Sequence, residues 1–402
     1  MKKLLLISLA AGSALMAGGY KIPETSLNAV ALSAANVAHS NGADAAYYNP
    51  ANMAFMKNES VLEADLMYIG LGEINYQGTY IATGATQYDI NSKKENFLVP
   101  SLHYVSQNIS GARFGLSIVS PAGLSKRWET APAVWSAEEF TLQTIEVNPT
   151  VALPISDKLA VSAGLRLVHS SGIVRNTAPT SSRDMEGDSI DFGYNLALSY
   201  KPTKELEIGL TYRSNVDLTI EGTAKLSGGS GAVTYDGGAT VGIPIPALLN
   251  MAIAYTLPTN TTIELVYERN YWHTYNELDF NYEPSLHPAL AGFGTPITKN
   301  WKDVNAFRLG ITQELDSCTL MGGVVVDNSP VPDSSLGYEL PDSDSVSVSF
   351  GGRYQMNEKV NLGLAALYSM REDKSITNAS LTNGEFKDSN VLIISAGLEY
   401  KF

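Results

Sequence analysis

The stretch SIDFGYNLALSYKPTKELEIGLTYRS, residues 189–214, decides the fold class. In its first half, apolar side chains occupy every second position, and polar or small side chains lie between them. The apolar set is Ile190, Phe192, Tyr194, Leu196, Leu198 and Tyr200, and the other set is Asp191, Gly193, Asn195, Ala197 and Ser199. A period of two predicts a β-strand with one apolar and one polar face.

A polar turn at 201–205 leads into a second strand of the same kind. Its expected apolar face contains Ile208, Leu210, Tyr212, Val216, Leu218 and Ile220. Its expected polar face contains Arg213, Asn215, Asp217 and Glu221.

Short polar turns and longer loops alternate along the whole chain. The short turns lie at 106–111, 154–158, 201–205, 257–261, 315–318 and 356–359. The longer segments between them, such as 225–239, are rich in Gly, Ser, Asp and Pro. Transmembrane barrels have short periplasmic turns and longer outer loops, and bacterial barrels have an even number of strands. We therefore predict an all-β fold, a 14-stranded antiparallel transmembrane β-barrel.

The fourteen strands are expected near 60–80, 86–106, 111–128, 139–154, 158–175, 187–201, 205–222, 246–257, 261–283, 301–315, 318–328, 343–356, 359–372 and 387–402. The last strand, NVLIISAGLEYKF (390–402), alternates as far as a terminal aromatic residue. This ending resembles the assembly signal of bacterial outer-membrane barrels, so the barrel-assembly machinery is an expected partner. Since every backbone amide must be paired in lipid, the sheet is expected to close.

The N-terminus predicts export. Lys2 and Lys3 precede an apolar run from Leu4 to Leu15 and a series of small residues, so residues 1–17 are interpreted as a signal peptide cleaved near Ala17. The 402-residue chain carries 41 acidic and 27 basic residues, a net charge of -14, which argues against nucleic acid as a ligand. The single Cys318 excludes an intramolecular disulfide.

Residues 18–58 do not alternate, and we interpret them as a hatch, or plug, inside a barrel formed by 59–402. Apolar spacing over 27–38 predicts one short helix, which Ser26 can cap. Pro50 cannot extend a helix and favours an extended Asn49. A periplasmic tail is the alternative interpretation of this segment.

The third strand contains a defect. FGLSIVSPAGLSKRW (114–128) alternates until Val119 and then meets Pro121 and Gly123. Proline removes a ladder donor and glycine weakens a strand interior. Either the strand ends in a turn there, or a kink leaves the barrel wall open.

Charged residues are expected inside the barrel. The predicted inward set is Arg113, Arg166, Arg213, Arg308 and Arg353 with Asp217, Glu221, Glu264 and Glu268. They can pair with one another in a solvated interior, or one arginine can meet a ligand carboxylate.

Five segments in order resemble the FadL / TodX / outer membrane protein P1 family of long-chain fatty acid and hydrocarbon transporters of Gram-negative outer membranes. The segments are GGYKIPETSLNAVALSAANVAHSNGADAAYYNPANMAF (18–55), SPAGLSKRW (120–128), EGDSIDFGYNLALSYKPTKELEIGLTYRS (186–214), NWKDVNAFRLGI (300–311) and SPVPDSSLGYELPDSDSVSVSFG (329–351). The resemblance covers essentially the whole chain after residue 17.

The resemblance implies passive uptake of fatty acids or aromatic hydrocarbons across the outer membrane of a Gram-negative bacterium. Ligands would be captured outside, pass to a pocket against the hatch, and leave through the strand-three kink into outer-membrane lipid. It implies Asn49, Pro50 and Ala51 facing that gap, and Pro121, Ala122, Gly123, Leu124, Ser125 and Lys126 forming the kink. Gly18, Gly19 and Tyr20 would touch the inner pocket. We expect a monomer with no cofactor, no metal and no catalytic residues.

One departure concerns the loop at 176–188, which is shorter than the family's long outer loop. A smaller apolar entrance could instead involve 222–245 and the loop carrying Trp128 and Trp135, although these tryptophans could also be interfacial anchors. A general porin is the main alternative function. An enzyme is disfavoured because the histidines are scattered and GGSGA (228–232) lacks the last glycine of a nucleophile elbow.

Overall fold

The computed structural model describes residues 18–377 and 382–402; the predicted signal peptide lies outside this part. The barrel strands are β1 Val61–Leu71, β2 Glu95–Val105, β3 Arg113–Val119 with Gly123–Arg127, β4 Glu139–Ser156, β5 Leu159–Ala178, β6 Ser181–Tyr200, β7 Leu206–Arg213 with Val216–Gly228, β8 Val233–Ile245 with Ala247–Thr256, β9 Thr261–Tyr271, β10 Val304–Glu314, β11 Cys318–Asp327, β12 Ser345–Gln355, β13 Val360–Arg371 and β14 Val391–Lys401.

The sheet closes through its first strand. Leu66 of β1 lies opposite Ala396 of β14 on one side and opposite Pro100 of β2 on the other. Each neighbouring pair is antiparallel, and closure joins the first and last strands of the sheet. The predicted 14-stranded antiparallel barrel is confirmed.

The apolar positions of the alternating pattern lie on the outside of the barrel, as predicted. Ile190 and Phe192 of β6 are 64% and 69% exposed, whereas Asn195 and Ser199 of the same strand are buried. The exterior is therefore an apolar band suited to lipid, and the polar face lies inside. None of the helices within 18–377 and 382–402 is long and apolar enough to span a bilayer.

The helices are short. Among the described residues they are α1 Leu27–Ala31, α2 Ala45–Tyr48 and α3 Val134–Ala137, with 3₁₀ helices at Pro50–Phe55, Ile81–Thr83, Trp272–Thr274, Pro288–Gly294 and Asp333–Ser335. The Ser26 hydroxyl accepts from the Ala29 amide at 3.1 Å, which confirms the predicted cap. The helix predicted over 27–38 was too long, because Ser33 and Ala34 adopt φ values of +50° and +59° that end it.

Several outer segments are more regular than predicted. The chain leaves the barrel at Leu71, and Asn75–Tyr80 pairs in a separate sheet with Gln87–Asn91 and Thr382–Lys387, which Lys374–Thr377 joins. The predicted loops at 176–188 and 222–245 are instead the ends of two long hairpins, β5–β6 and β7–β8. Their glycines and polar residues lie in strand ladders, since backbone pairing there does not require an apolar face.

The prediction for β7 was wrong in its upper half. Glu207, Thr211 and Arg213 are buried as expected, but Asp217 and Glu221 are exposed. Asn195 of β6 pairs with Arg213, but Asp188 pairs with Glu221, so β7 contains one extra residue between these points. An extra residue reverses the faces of every position beyond it.

Candidate functional site

The barrel wall is interrupted between β2 and β3. Their ladder runs only from Val105 opposite Gly115 to Leu102 opposite Ile118. Among the described residues no ladder joins 95–101 to 119–125, and we call this interruption the β2–β3 opening. Pro100 and Pro121, which lack N–H groups, lie on its two sides.

The kink itself is a bulge against β4. Val119 pairs with Glu146, but Gly123 pairs with Gln143, so three residues of β3 face two of β4. The backbone of β3 therefore contains a bulge at this segment and continues beyond it, and the strand does not end in a turn.

The N-terminal segment pairs with the kink from inside. The Ile22 amide donates to the Pro121 carbonyl at 2.9 Å, and the Gly123 amide donates to the Tyr20 carbonyl at 2.7 Å. Lys21 and Ala122 form the bridge between these two bonds. Backbone groups freed by the kink are thus satisfied by the N-terminal segment rather than by a neighbouring strand.

An aromatic cluster holds Tyr20 in place. Its ring lies 4.8 Å from Trp272 and 5.6 Å from Trp301, centroid to centroid, and its hydroxyl donates to the Pro244 carbonyl at 2.5 Å. A side chain on Gly19 would come within 2.7 Å of Trp272, so only glycine fits beneath these rings.

The residues before Tyr20 reach two buried acids. The Gly19 amide lies 3.3 Å from an Asp342 carboxylate oxygen, and a Cβ on Gly18 would lie 2.9 Å from Asp327. Both glycines have φ values of +86°, a conformation that glycine adopts without strain.

A small outer pocket adjoins this cluster. Tyr20 and Leu124 line it together with Trp301, and its cavity is about 20 Å³. At its wall the Lys299 ammonium lies 2.6 Å from the Glu339 carboxylate. Burial acts to lower the pKa of Lys299, but the charge and hydrogen bond of Glu339 together with Tyr275 outweigh it, and the net pKa is raised. The pocket is apolar with one fixed ion pair.

A second, inner cavity of about 60 Å³ lies below the kink, lined by Pro121 and by Tyr47 of the N-terminal segment. Arg166 and Arg213 also line it, and both pair with the single carboxylate of Glu146 behind them. The Arg213 guanidinium lies 4.1 Å from the centre of the Tyr47 ring. Lys21 and Glu268 also line the cavity and pair with each other, so Arg166 and Arg213, with one carboxylate between them, leave local positive charge beside it.

The other inward charges hold the N-terminal segment. One Glu264 carboxylate accepts from the three consecutive amides of 37–39 at 2.7–3.1 Å. Arg308 donates to the Ser33 carbonyl at 2.8 Å and pairs with Glu268 at 3.2 Å. Arg308 and Glu268 thus pair with each other as predicted for the interior, whereas Glu264 bonds backbone amides.

The Asn49-Pro50-Ala51 tripeptide lies elsewhere on the wall. Asn49 donates to the Val37 carbonyl at 2.9 Å and accepts from the Ala51 amide at 3.2 Å, and Ala51 packs against Ala160 and Ala197. The structure brings residues 20–22, rather than 49–51, against 121–123. That the tripeptide faces the β2–β3 opening stays a prediction.

The upper kink residues turn toward other partners. The Ser125 hydroxyl donates to Glu95 of β2, Leu124 packs in the outer aromatic cluster, and Lys126 is buried. Trp128 is also buried and donates to the Tyr338 carbonyl at 2.9 Å, which overturns its interpretation as an interfacial anchor.

Sequence reasoning missed the residues that seat Tyr20, namely Trp272, Tyr275 and Trp301. The signal that could have found them is the aromatic density of NYWHTY (270–275) just past the end of a strand. The role of these aromatic residues depends on Tyr20, which lies about 250 positions earlier in the chain.

A closed β-barrel with an apolar exterior, an interrupted wall and charged residues turned inward is typical of outer-membrane channels. The family model described as outer membrane protein transport protein (OMPP1/FadL/TodX) matches residues 7–402, and the chain belongs to this family. It is an outer-membrane protein of a Gram-negative bacterium.

Individual relatives are distant in sequence and similar in fold. A long-chain fatty acid transport protein of Escherichia coli O6:H1 is 25% identical over 310 residues, covering 67% of this chain and 69% of the relative. A FadL homologue of Pseudomonas aeruginosa superposes with a TM-score of 0.85 at 16% identity, covering 95% of this chain and 99% of the other. The Pseudomonas putida toluene transporter TodX gives a TM-score of 0.75 at 17% identity, covering 95% and 98%.

Proposed function

We propose that this protein takes up hydrophobic molecules passively and releases them sideways through the β2–β3 opening into outer-membrane lipid. The observation that carries the proposal is the wall interruption itself, whose kink is paired from inside by residues 20–22. In a bilayer, unpaired backbone is tolerated only beside protein or a water-filled space, so such an interruption is costly without a use.

We infer that residues 18–58 are a hatch inside the barrel formed by 59–402. Support comes from contacts on several sides of the lumen: Glu264 of β9, Arg308 of β10 and Ser349 of β12 each bond the backbone of this segment. The preceding signal peptide, residues 1–17, belongs to the same proposal.

The ligand path would start at the outer pocket and continue to the inner cavity. Tyr20 lines the first and Lys21 and Ile22 line the second, so one short strand of the hatch separates them. A shift of Tyr20–Ile22 would connect the two spaces and expose the kink together. Gly18, Gly19 and Tyr20 were predicted to touch the inner pocket; Tyr20 lines the outer pocket, and contact of the three residues with a ligand stays a prediction.

The substrate class we favour is a long-chain carboxylate. Arg166 and Arg213 share one carboxylate beside the inner cavity, and a ligand carboxylate would complete the pairing. The E. coli relative is named for long-chain fatty acids and TodX for toluene. The excess positive charge of Arg166 and Arg213 favours a fatty acid over an uncharged hydrocarbon as the ligand. Each methylene moved from water to lipid contributes about 0.8 kcal/mol, so no energy coupling is required.

Deleting Ala122 tests the exit, because it removes the one extra residue of β3 and restores a continuous register with β4. We expect uptake of radiolabelled oleic acid by cells to fall well below that of the unaltered protein, while heat-modifiable gel mobility shows a folded barrel. Ala122→Ser, which keeps the bulge, is the matched control and should transport normally. Normal uptake by the deletion variant would sink the lateral exit.

A general porin is the alternative, and it would give steady ion conductance in planar bilayers. The interior contacts of residues 18–58 favour the closed, hatch-containing channel. Monomeric state, and assembly by the barrel-assembly machinery through the strand ending at Phe402, remain predictions for native mass spectrometry and for assembly assays.

A further inference from the structure

The strand ladder is also interrupted between β6 and β7, although the two strands remain side by side. The lower ladder ends where Arg213 lies opposite Asn195, and the upper ladder begins where Glu221 lies opposite Asp188. Both strands are described throughout, and between these points the Ser214 amide donates to the Tyr194 carbonyl at 2.9 Å. We call residues 189–193 and 215–220 the β6–β7 seam.

A bulge alone does not account for the seam. The extra residue of β7 needs only a local break in the ladder. The same one-residue excess in β3 interrupts its ladder with β4 only at 120–122 and 144–145. The β6–β7 interruption spans more than twice that length on each strand.

Side chains replace part of the missing ladder. Asp191 accepts from the Thr219 amide at 3.2 Å and from the Ser189 hydroxyl at 2.5 Å. The Tyr194 amide donates to the Ser214 hydroxyl at 2.9 Å. A seam held by a few side-chain bonds can open without breaking a strand ladder on either side.

The seam separates lipid from the interior. Ile190 and Phe192 lie on its lipid side, and Val216, Leu218 and Ile220 are buried behind it. Val216 covers Gly193 so closely that a Cβ there would lie 2.7 Å from it. At its upper end Ile220 lines a cavity of about 30 Å³, and at its lower end Arg213 lines the inner cavity.

We propose that the β6–β7 seam is a second lateral portal, through which the apolar chain of a ligand passes between the lumen and membrane lipid. Val216 is its covering side chain, and Gly193 provides the space into which it fits. The inference rests on the proposed uptake of hydrophobic molecules, but not on the β2–β3 exit.

The test locks the seam with a disulfide. The seam pair combines Asp191→Cys and Thr219→Cys in a Cys318→Ser background. The control pair combines Asp188→Cys and Glu221→Cys in the same background, at two positions that the ladder already joins. We expect oxidation to lower initial oleic acid uptake at least twofold in the seam pair, with recovery after dithiothreitol, and no change in the control pair. Heat-modifiable mobility checks that each variant is folded.

Combining the lock with the Ala122 deletion separates the two exits. Residual uptake in the deletion variant that disappears on locking supports the portal. Equal uptake by the oxidised and the reduced seam pair overturns the portal. Loss of all uptake on Ala122 deletion alone also overturns the portal, and it supports the β2–β3 route. As a second measurement, a diazirine fatty acid should label peptides containing 215–220; labelling confined to 119–125 would overturn the portal.

Discussion

Gly323 of β11 offers a direct test of whether residues 18–58 are a seated hatch. Gly323 lies opposite Gly310 of β10, and the N-terminal segment crosses this glycine pair at Leu32–Ala35. A Cβ on Gly323 would lie 2.2 Å from the Leu32 carbonyl carbon and 2.7 Å from the Ser33 nitrogen. These are backbone atoms, so no rotamer change relieves the clash.

These distances give the free-energy cost expected for Gly323→Ala. Ordinary contact begins at 3.4 Å, so the Leu32 backbone must retreat by about 1.2 Å, the difference from 2.2 Å. Overpacking of this kind costs about 1–3 kcal/mol. If the cost falls on the seated state, the detached segment becomes roughly 5- to 150-fold more populated.

Hydrogen exchange measured by mass spectrometry on purified protein checks this outcome. Amides of 27–40 should exchange faster by that factor, while amides of the β10–β11 ladder should not change. Gly322→Ala is the matched control, because its Cβ would meet only the Ser349 carbonyl oxygen at 3.6 Å. Equal exchange in the two variants would refute the reasoning that the glycine pair seats the hatch.

Three further outcomes are expected. Glu146→Gln leaves Arg166 and Arg213 without their shared carboxylate and should destabilise the barrel by about 3–5 kcal/mol in denaturant titrations, whereas Gln at the exposed Glu186 should have little effect. The pKa of Lys299 is raised above 10.5 by Glu339, so the stabilisation from this pair should be complete below pH 10.5 and disappear only as the pH rises through the pKa of Lys299 in the folded protein. The thermal midpoint of Lys299→Met should lack this alkaline decline. An equal decline in the variant would contradict the assignment of the raised pKa to this pair. Asn49→Ala removes the cap of the 3₁₀ helix at Pro50–Phe55 and should cost about 1 kcal/mol by exchange of its amides, whereas Asn49→Ser should keep most of the protection.

The sequence predicted the barrel because its determinants are local. Each strand shows its own period of two, and each short turn shows its own composition, as 189–214 illustrates. Lipid then leaves closure as the only way to pair every backbone group. The outward face of β14, with Leu392 and Ile394 exposed, could be assigned in the same way.

The candidate site was only partly accessible from the sequence. Pro121 and Gly123 indicated a kink, since their backbone restrictions are intrinsic. The residues that bind this kink from inside, Tyr20 and Ile22, carry no local mark of that role. The face reversal of β7 was missed because an extra residue at 214–215 is visible only against the register of β6.

By itself the sequence determined the strands, their number and, except in the upper half of β7, the face that each turns to lipid, because backbone pairing and apolar alternation operate between near neighbours. Only the tertiary structure decided where the wall opens and which strands the N-terminal segment contacts. Those features depend on contacts such as Gly19 with Asp342, 323 positions apart, and on register differences of a single residue between strands. A periodic pattern within one strand does not specify which residue of a neighbouring strand lies opposite, or which distant segment packs against it.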